Sequence, residues 1–249
     1  RLLFQITFIL CFTIFNDIQI TNTRILLLDE ILKNDILNYV FVSFCILIVI
    51  NGSNFIDGLN TLNIGYYLLI VMVIIYLNSD QQIFLNEIKL YYFLILLLFV
   101  FILNLFNKLY LGDSGSYLLG FVFSVFLISV YNWNTHISPF FIILLLWYPC
   151  YETLFSIVRK NILKRSPMSP DANHLHQLIF FVIKKKFKFN IFSTNLITAN
   201  IINIYHLLIF MFSLNFISNS QIQIIFILLN LIIYTVIYFK TFILKYKKK

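Results

Sequence analysis

Lys89-Leu-Tyr-Tyr-Phe-Leu-Ile-Leu-Leu-Leu-Phe-Val-Phe-Ile-Leu-Asn-Leu-Phe106 decides how the rest of the chain is read. After the leading lysine it holds one amide and no charge, and as a helix it runs roughly 27 Å, close to the ~30 Å of a bilayer core. Comparable runs lie at about 2–20, 38–52, 62–78, 115–132, 138–158, 194–217 and 222–240. The run at 38–52 is short, but a helix that ends in a polar cavity can stop inside the membrane if protein or water satisfies its backbone. The expected fold is therefore an all-α integral membrane protein, a polytopic helical bundle of about eight transmembrane helices forming one unit over 1–249. Its single long polar insert is a loop at 159–193, where Pro167 and Pro170 interrupt any continuous helix.

The composition agrees. Of 249 residues, 61% are hydrophobic and 11% charged, and the mean hydropathy is +0.91; soluble domains hold roughly 45–50% apolar residues. A net charge of +8 spread so thinly points to basic loops beside a lipid bilayer and not to nucleic acid. Cys11, Cys45 and Cys150 are odd in number, show no metal spacing and sit in apolar runs, so they read as buried thiols. The wealth of Phe, Ile, Asn, Lys and Tyr reads as AT-rich coding, which discounts stray Asn and Phe as signals. The chain opens on Arg1 and enters an apolar run at Leu2 with no basic n-region and no small-residue cleavage site, so this is no signal peptide; it reads as a chain lacking its N-terminal part.

Positive loops stay in the cytoplasm. With residue 1 inside, fifteen of the eighteen Lys and Arg fall on the cytoplasmic side, leaving Arg24, Lys33 and Lys89 outside. Most acids lie outside. Asp57, Asp113, Glu152 and Asp171 are the exceptions, and three of them sit in polar islands that share the cytoplasmic face.

The first island is Asn51-Gly-Ser-Asn-Phe-Ile-Asp-Gly-Leu-Asn60. On a helix Asn51, Asn54 and Asp57 would follow each other at about 60° steps along one face, and an acid at a membrane boundary is a functional candidate. The plainer reading is a turn, since Asn-Gly and Asp-Gly are turn formers. The second island is Leu111-Gly-Asp-Ser-Gly-Ser116, with Asn104 and Lys108 upstream. Asp113 and the serines could offer oxygens to Mg²⁺ or cap the following helix, whose N-terminus also suits phosphate. The third is Arg165-Ser-Pro-Met-Ser-Pro-Asp-Ala-Asn-His-Leu-His-Gln177. A lone His-x-His is weak evidence for zinc, and imidazoles near Arg165 suit phosphate better. Carboxylates, glycines and imidazoles on one face fit Mg²⁺-assisted phosphoryl transfer to a lipid acceptor.

The three islands resemble, in order, the signatures of the polyprenyl-phosphate N-acetylhexosamine-1-phosphate transferases, family-four glycosyltransferases related to phospho-MurNAc-pentapeptide translocase. The Asn-x-x-Asn-x-x-Asp-Gly segment corresponds to Asn51, Asn54, Asp57 and Gly58, and the Gly-Asp-x-Gly-Ser turn to Gly112, Asp113, Gly115 and Ser116. The Pro-Asp-x-x-His-x-His loop corresponds to Pro170, Asp171, His174 and His176, and Pro149 with Glu152-Thr-Leu resembles a stretch that precedes it. The resemblance implies transfer of a sugar-1-phosphate from a UDP-sugar to undecaprenyl phosphate, releasing UMP and initiating a cell-envelope polysaccharide at the cytoplasmic face of the bacterial inner membrane. It implies Mg²⁺, with Mn²⁺ as an alternative, and Asp113 as its ligand. Asp57, Asp113, His174 and His176 would be the catalytic set; Asn51, Asn54, Asn60, Asn104, Lys108, Arg165 and Asp171 would bind substrate. A homodimer is compatible with it.

The departures are specific. The family's adjacent Asp-Asp pair occurs nowhere in the 249 residues, so these residues alone are expected to be inactive while the intact protein works. Asn60 stands where many members have a second Asp, Gln177 where a third His is frequent, and Glu152 where Asp is frequent. Two other readings remain open on the sequence: a non-catalytic homologue, and a transporter with ion sites at broken helices.

Overall fold

The computed structural model describes residues 2–80, 83, 85–164 and 172–247. It is 80% helical, and the described residues form eleven helices and no strand. These are α1 (Leu2–Phe15), α2 (Leu26–Leu32), α3 (Asp35–Ile56), α4 (Leu62–Ser79), α5 (Glu87–Leu105), α6 (Gly112–Trp133), α7 (Pro139–Leu145), α8 (Trp147–Ile162), α9 (Leu175–Phe187), α10 (Ile191–Leu214) and α11 (Ser220–Tyr246). Six of them, α3 to α6 with α10 and α11, are long and apolar enough to cross a membrane, and the bent pair α7–α8 makes a seventh. The protein is a multi-pass membrane bundle. The run expected over 2–20 is helical only to Phe15, because the chain turns at Asp17, whose φ is 49°.

Helix ends in this bundle need polar caps, since hydrocarbon cannot satisfy free amides. Asn34, Asn86, Asn190 and Asn219 each accept a backbone N–H at the start of α3, α5, α10 and α11. The asparagines discounted as coding bias therefore fix four helix starts. Cys45 and Cys150 are half-buried but Cys11 is exposed, and all three are free thiols; the expectation of buried thiols fails for Cys11.

The single span expected over 138–158 is two helices bent by 73°. The reason lies in Pro149. It has no N–H to give the carbonyl four residues back, and its ring crowds that carbonyl. That atom is the Leu145 oxygen, which instead accepts the Tyr66 hydroxyl at 2.8 Å.

α3 is the axis of the fold, packed chiefly on α6 and α8 and then on α1. Its contacts are close enough to require glycine. A Cβ on Gly52 would lie 2.0 Å from the Pro149 oxygen, and one on Gly120 would lie 2.6 Å from Ser53 Oγ and 2.7 Å from the Ile50 Cα. On α6, Ser116, Gly120 and Ser124 recur every fourth residue and are all buried, a small-residue stripe of the kind that lets membrane helices approach closely. At the opposite end from the islands, Arg24 donates to the carbonyls of Thr135, His136, Ile137 and Ser218. One of the few cations expected outside is thus a bracket between two loops.

Gly120→Ala should overpack the α3–α6 seam and destabilise the bundle by about 1–3 kcal/mol. Thermal unfolding of the detergent-solubilised protein reads it, and an unchanged melting temperature would show that the seam can spread without cost.

Candidate active site

The first island does not break into a turn until its end. Asn51 and Asn54 are still inside α3, and Asp57 is its C-terminal cap residue. Asn51-Gly52 is helical, whereas Asp57-Gly58 does lie in a turn, the one that ends α3. The second island opens α6, but its N-cap position is Leu111, with no side-chain cap. Asp113 lies in the first turn, exposed, and accepts Asn54 Nδ2 at 2.7 Å. The reading of Asp113 as a mere cap therefore fails: its carboxylate reaches across to α3. Ser116 Oγ donates to Asp57 Oδ2 at 2.6 Å and lies 2.7 Å from the Gly112 carbonyl. Two hydrogen bonds thus lock the first island to the second.

Asp57 sits partly withdrawn from water. Burial pushes its carboxyl up to about 6; the Ser116 hydrogen bond opposes the shift and the negative charge of Asp113 adds to it. A site that raises one carboxylate beside another is a site that a cation would relieve. The donors there are hard oxygens, from Asp57, Asp113, the Ser116 hydroxyl and the Asn54 amide. Mg²⁺ is held in this way, by one or two carboxylates with water and phosphate oxygens completing its shell. Among the described residues no group of three His, Cys, Asp or Glu converges, so an all-protein cage of the zinc type is absent there. The residues present fit Mg²⁺.

The third island reaches the first through His176. A Cβ on Gly58 would lie 2.2 Å from His176 Nε2, so only glycine admits the ring. His176 is fully buried, both ring nitrogens have no hydrogen-bond partner among the described residues, and burial pushes its pKa down to about 3. It is neutral at pH 7. His174 stacks on it at 5.9 Å and pairs through Nδ1 with Glu152 Oε1 at 2.9 Å; Glu152 Oε2 accepts the Tyr234 hydroxyl at 2.8 Å. Phe55 of α3 lies 5.1 Å from the His174 ring and 5.7 Å from Lys160 Nζ. Gln177, where a third His is frequent in the resembling family, accepts the His174 N–H and caps α9.

Three other residues expected to bind substrate have hydrogen-bond partners within the bundle. Asn104 accepts the Thr61 N–H at 2.6 Å and donates to the Leu109 carbonyl at 2.8 Å. Asn51 donates back to Leu47 O within its own helix, and Asn60 donates to Asn107. Lys108 is exposed beside them. Arg165 and Asp171 lie outside the described residues.

Thr61 is where the turn is strained. Its φ is 67°, a left-handed conformation that is an outlier for a β-branched residue. Asn104 holds its N–H, and Asn203 of α10 donates to its carbonyl at 3.0 Å. Gly65 makes room for that amide, since a Cβ there would lie 2.4 Å from Asn203 Nδ2. Sequence reading overlooked Asn203 and Tyr234. The signal was their position, polar groups deep in otherwise apolar spans, which in a membrane bundle face inward and find partners.

Between α3, α6, α7 and α8 runs an apolar cavity of about 280 Å³. Phe41, Cys45, Val49, Ile128, Leu146 and Leu154 are among its lining residues.

The structure thus gathers two carboxylates and two stacked imidazoles at one end of a helical membrane bundle. The family model described as "Glycosyl transferase family 4" matches residues 1–131, more than half of the chain, and the chain belongs to that family. Among curated proteins, the undecaprenyl-phosphate alpha-N-acetylglucosaminyl 1-phosphate transferase of Thermotoga maritima is 37% identical over 68 residues, which are 27% of this chain and 22% of that protein. No solved structure matches the chain.

Asn203→Ala should loosen the Asp57–Thr61 turn and lower stability by about 1–2 kcal/mol, the scale of a left-handed residue left unsupported. Adding Thr61→Gly should recover part of that loss, because glycine takes positive φ freely. Thermal unfolding of both variants tests this, and no recovery would show that Asn203 acts on something other than the strained turn.

Proposed function

We propose that the intact protein transfers a sugar-1-phosphate from a UDP-sugar to undecaprenyl phosphate at the cytoplasmic face of a bacterial inner membrane. A phosphate oxygen of the lipid attacks the sugar-bearing phosphorus, the bond to the other phosphate breaks, and UMP leaves with that bond's electron pair. The observation that carries this reading is the joining of three polar islands at one end of an apolar bundle, by Asn54 to Asp113, Ser116 to Asp57, and His176 to Gly58. Membership of the family and the name of the Thermotoga maritima relative support it. Gathering at one end also favours a transferase over a transporter, whose sites lie near the midplane.

Asp113, with Asp57 beside it, would hold Mg²⁺, which when bound neutralises diphosphate charge and stabilises the leaving phosphate. The exposed carboxylate of Asp113 meets solvent-borne donor, while the half-buried Asp57 is kept in place by Ser116. Neutral His176 fills the floor against Gly58, and His174 presents its remaining ring nitrogen to the phosphates. The apolar cavity would take part of the isoprenoid chain, because its wall offers hydrocarbon almost without polar interruption.

Membranes carrying the intact protein should release UMP only when Mg²⁺, undecaprenyl phosphate and a UDP-sugar are all supplied, with UDP-GlcNAc the first donor to try. Asp113→Asn should reduce that rate at least ~100-fold with normal expression. Release that persists without lipid or metal, or undiminished in Asp113→Asn, would overturn the assignment. Silence across a panel of donors with folded protein present would favour a non-catalytic homologue. Cys45→Phe, which narrows the cavity, should raise KM for the polyprenyl phosphate several-fold and leave KM for the nucleotide sugar unchanged; equal effects on both would remove the cavity from lipid binding.

A further inference from the structure

We propose that Glu152, buttressed by Tyr234, is the positioning residue for His174: it holds the ring as the Nδ1–H tautomer so that Nε2 is the nitrogen offered to the substrate phosphates. The second half of that statement rests on the transfer reading above. The first half rests on the geometry alone.

Glu152 is 0% exposed. An unpaired carboxylate in such a place would be too costly to keep charged, and here each oxygen has one partner. Oε2 accepts from the Tyr234 hydroxyl, and Oε1 faces His174 Nδ1 at 2.9 Å. A carboxylate can only accept, so the proton of that contact belongs to Nδ1. Neutral His174 then has its lone pair on Nε2.

The ring has little freedom to turn away. Phe55 and His176 flank it, and the backbone just before it is pinned. Arg159 Nη1 donates to the Asn173 carbonyl at 2.6 Å and to the Tyr238 hydroxyl at 2.9 Å. Lys245 Nζ reaches the Ala172 carbonyl and Asn173 Oδ1, both at 2.8 Å, and the Tyr246 hydroxyl donates to the same Oδ1. α8 supplies Glu152 and Arg159, while α11 supplies Tyr234, Tyr238, Lys245 and Tyr246. Two helices outside the family-matched residues thus aim the histidine at the end of α3. The charged and titratable groups facing His174 from these elements are Glu152, Tyr234, His176 and, across Phe55, Lys160.

A purely structural ion pair would look the same in a static picture, so the experiment must separate orientation from stability. In the intact protein, Glu152→Gln should lower kcat about 10–100-fold, the usual cost of losing a group that orients an imidazole, with KM for the UDP-sugar within twofold. Tyr234→Phe should lower kcat less, and Glu152→Asp should restore most of the rate. In a His174→Ala background, Glu152→Gln should cost nothing further, because the two act as one unit. An equal loss in both backgrounds would sink the proposal. If Glu152→Gln fails to fold, Tyr234→Phe carries the same comparison. Ring ¹⁵N NMR of histidine-labelled, detergent-solubilised wild type and variants reads the tautomer without any turnover. Nδ1–H for His174 in wild type, replaced by a mixture in Glu152→Gln, is the expected result, and Nε2–H in wild type overturns the proposal. A wild type that holds the Nδ1–H tautomer but releases no UMP from any donor would reject the transfer reading and leave the positioning of His174 standing.

Discussion

The whole arrangement depends on how closely α3 approaches its neighbours. Gly52 lies against the Pro149 carbonyl and Ser53 against Gly120, so α3 meets α8 and α6 backbone to backbone at its island-bearing end. That contact brings Asn54 and Asp57 within hydrogen-bonding reach of Asp113 and Ser116 on one side, and puts Phe55 beside His174 on the other. Widening either seam by a methyl group would separate groups whose hydrogen bonds tolerate only a few tenths of an ångström. In lipid, where apolar side chains gain nothing by leaving one hydrocarbon for another, small residues and polar cross-links must supply the cohesion. Here the same residues that permit packing also assemble the site.

A second constraint follows from the same solvent. Each irregular stretch of backbone inside the bundle needs a partner, and the chain supplies them from other helices. Tyr66 of α4 meets the carbonyl that Pro149 releases. Asn203 of α10 and Asn104 of α5 hold the two sides of the left-handed Thr61. The bend and the strained turn are thereby stable features, and both border the site: the bend carries Glu152 on its far arm, and the turn follows Asp57 by four residues. Strain of about 1–3 kcal/mol at such a position persists only where the surroundings over-determine it.

The fold class was legible because 61% apolar composition and runs near 20 residues leave few alternatives. The three islands were legible because their residues are local in sequence. Less legible were features set by long-range partners. Pro149 could be seen, but the 73° bend needs Tyr66 to satisfy a carbonyl 79 residues away in sequence. The resemblance marked Asn104 as a substrate-binding residue but could not show that it clamps the backbone at Thr61 and Leu109, since nothing local says which way an amide faces. Asn203 and Tyr234 were hidden by apolar neighbours, and the asparagine caps by a composition that made Asn common.

The site divides into a wet half and a dry half, and the division follows burial. Asp113 is exposed and Asp57 half-buried, so one carboxylate meets solvent freely while burial raises the cost of ionising the other. His176, Glu152 and Tyr234 lie in the interior, where the imidazole of His176 stays neutral and the carboxylate of Glu152 requires two donors. His174 stands at the border, one nitrogen turned to the dry side through Glu152. On the inner side the Glu152 carboxylate is held by hydrogen bonds with His174 and Tyr234. Low dielectric around Glu152 strengthens its hold on the imidazole. The residues that fix geometry, Glu152 and Tyr234 among them, are thus kept out of water, and the carboxylate of Asp113 is not.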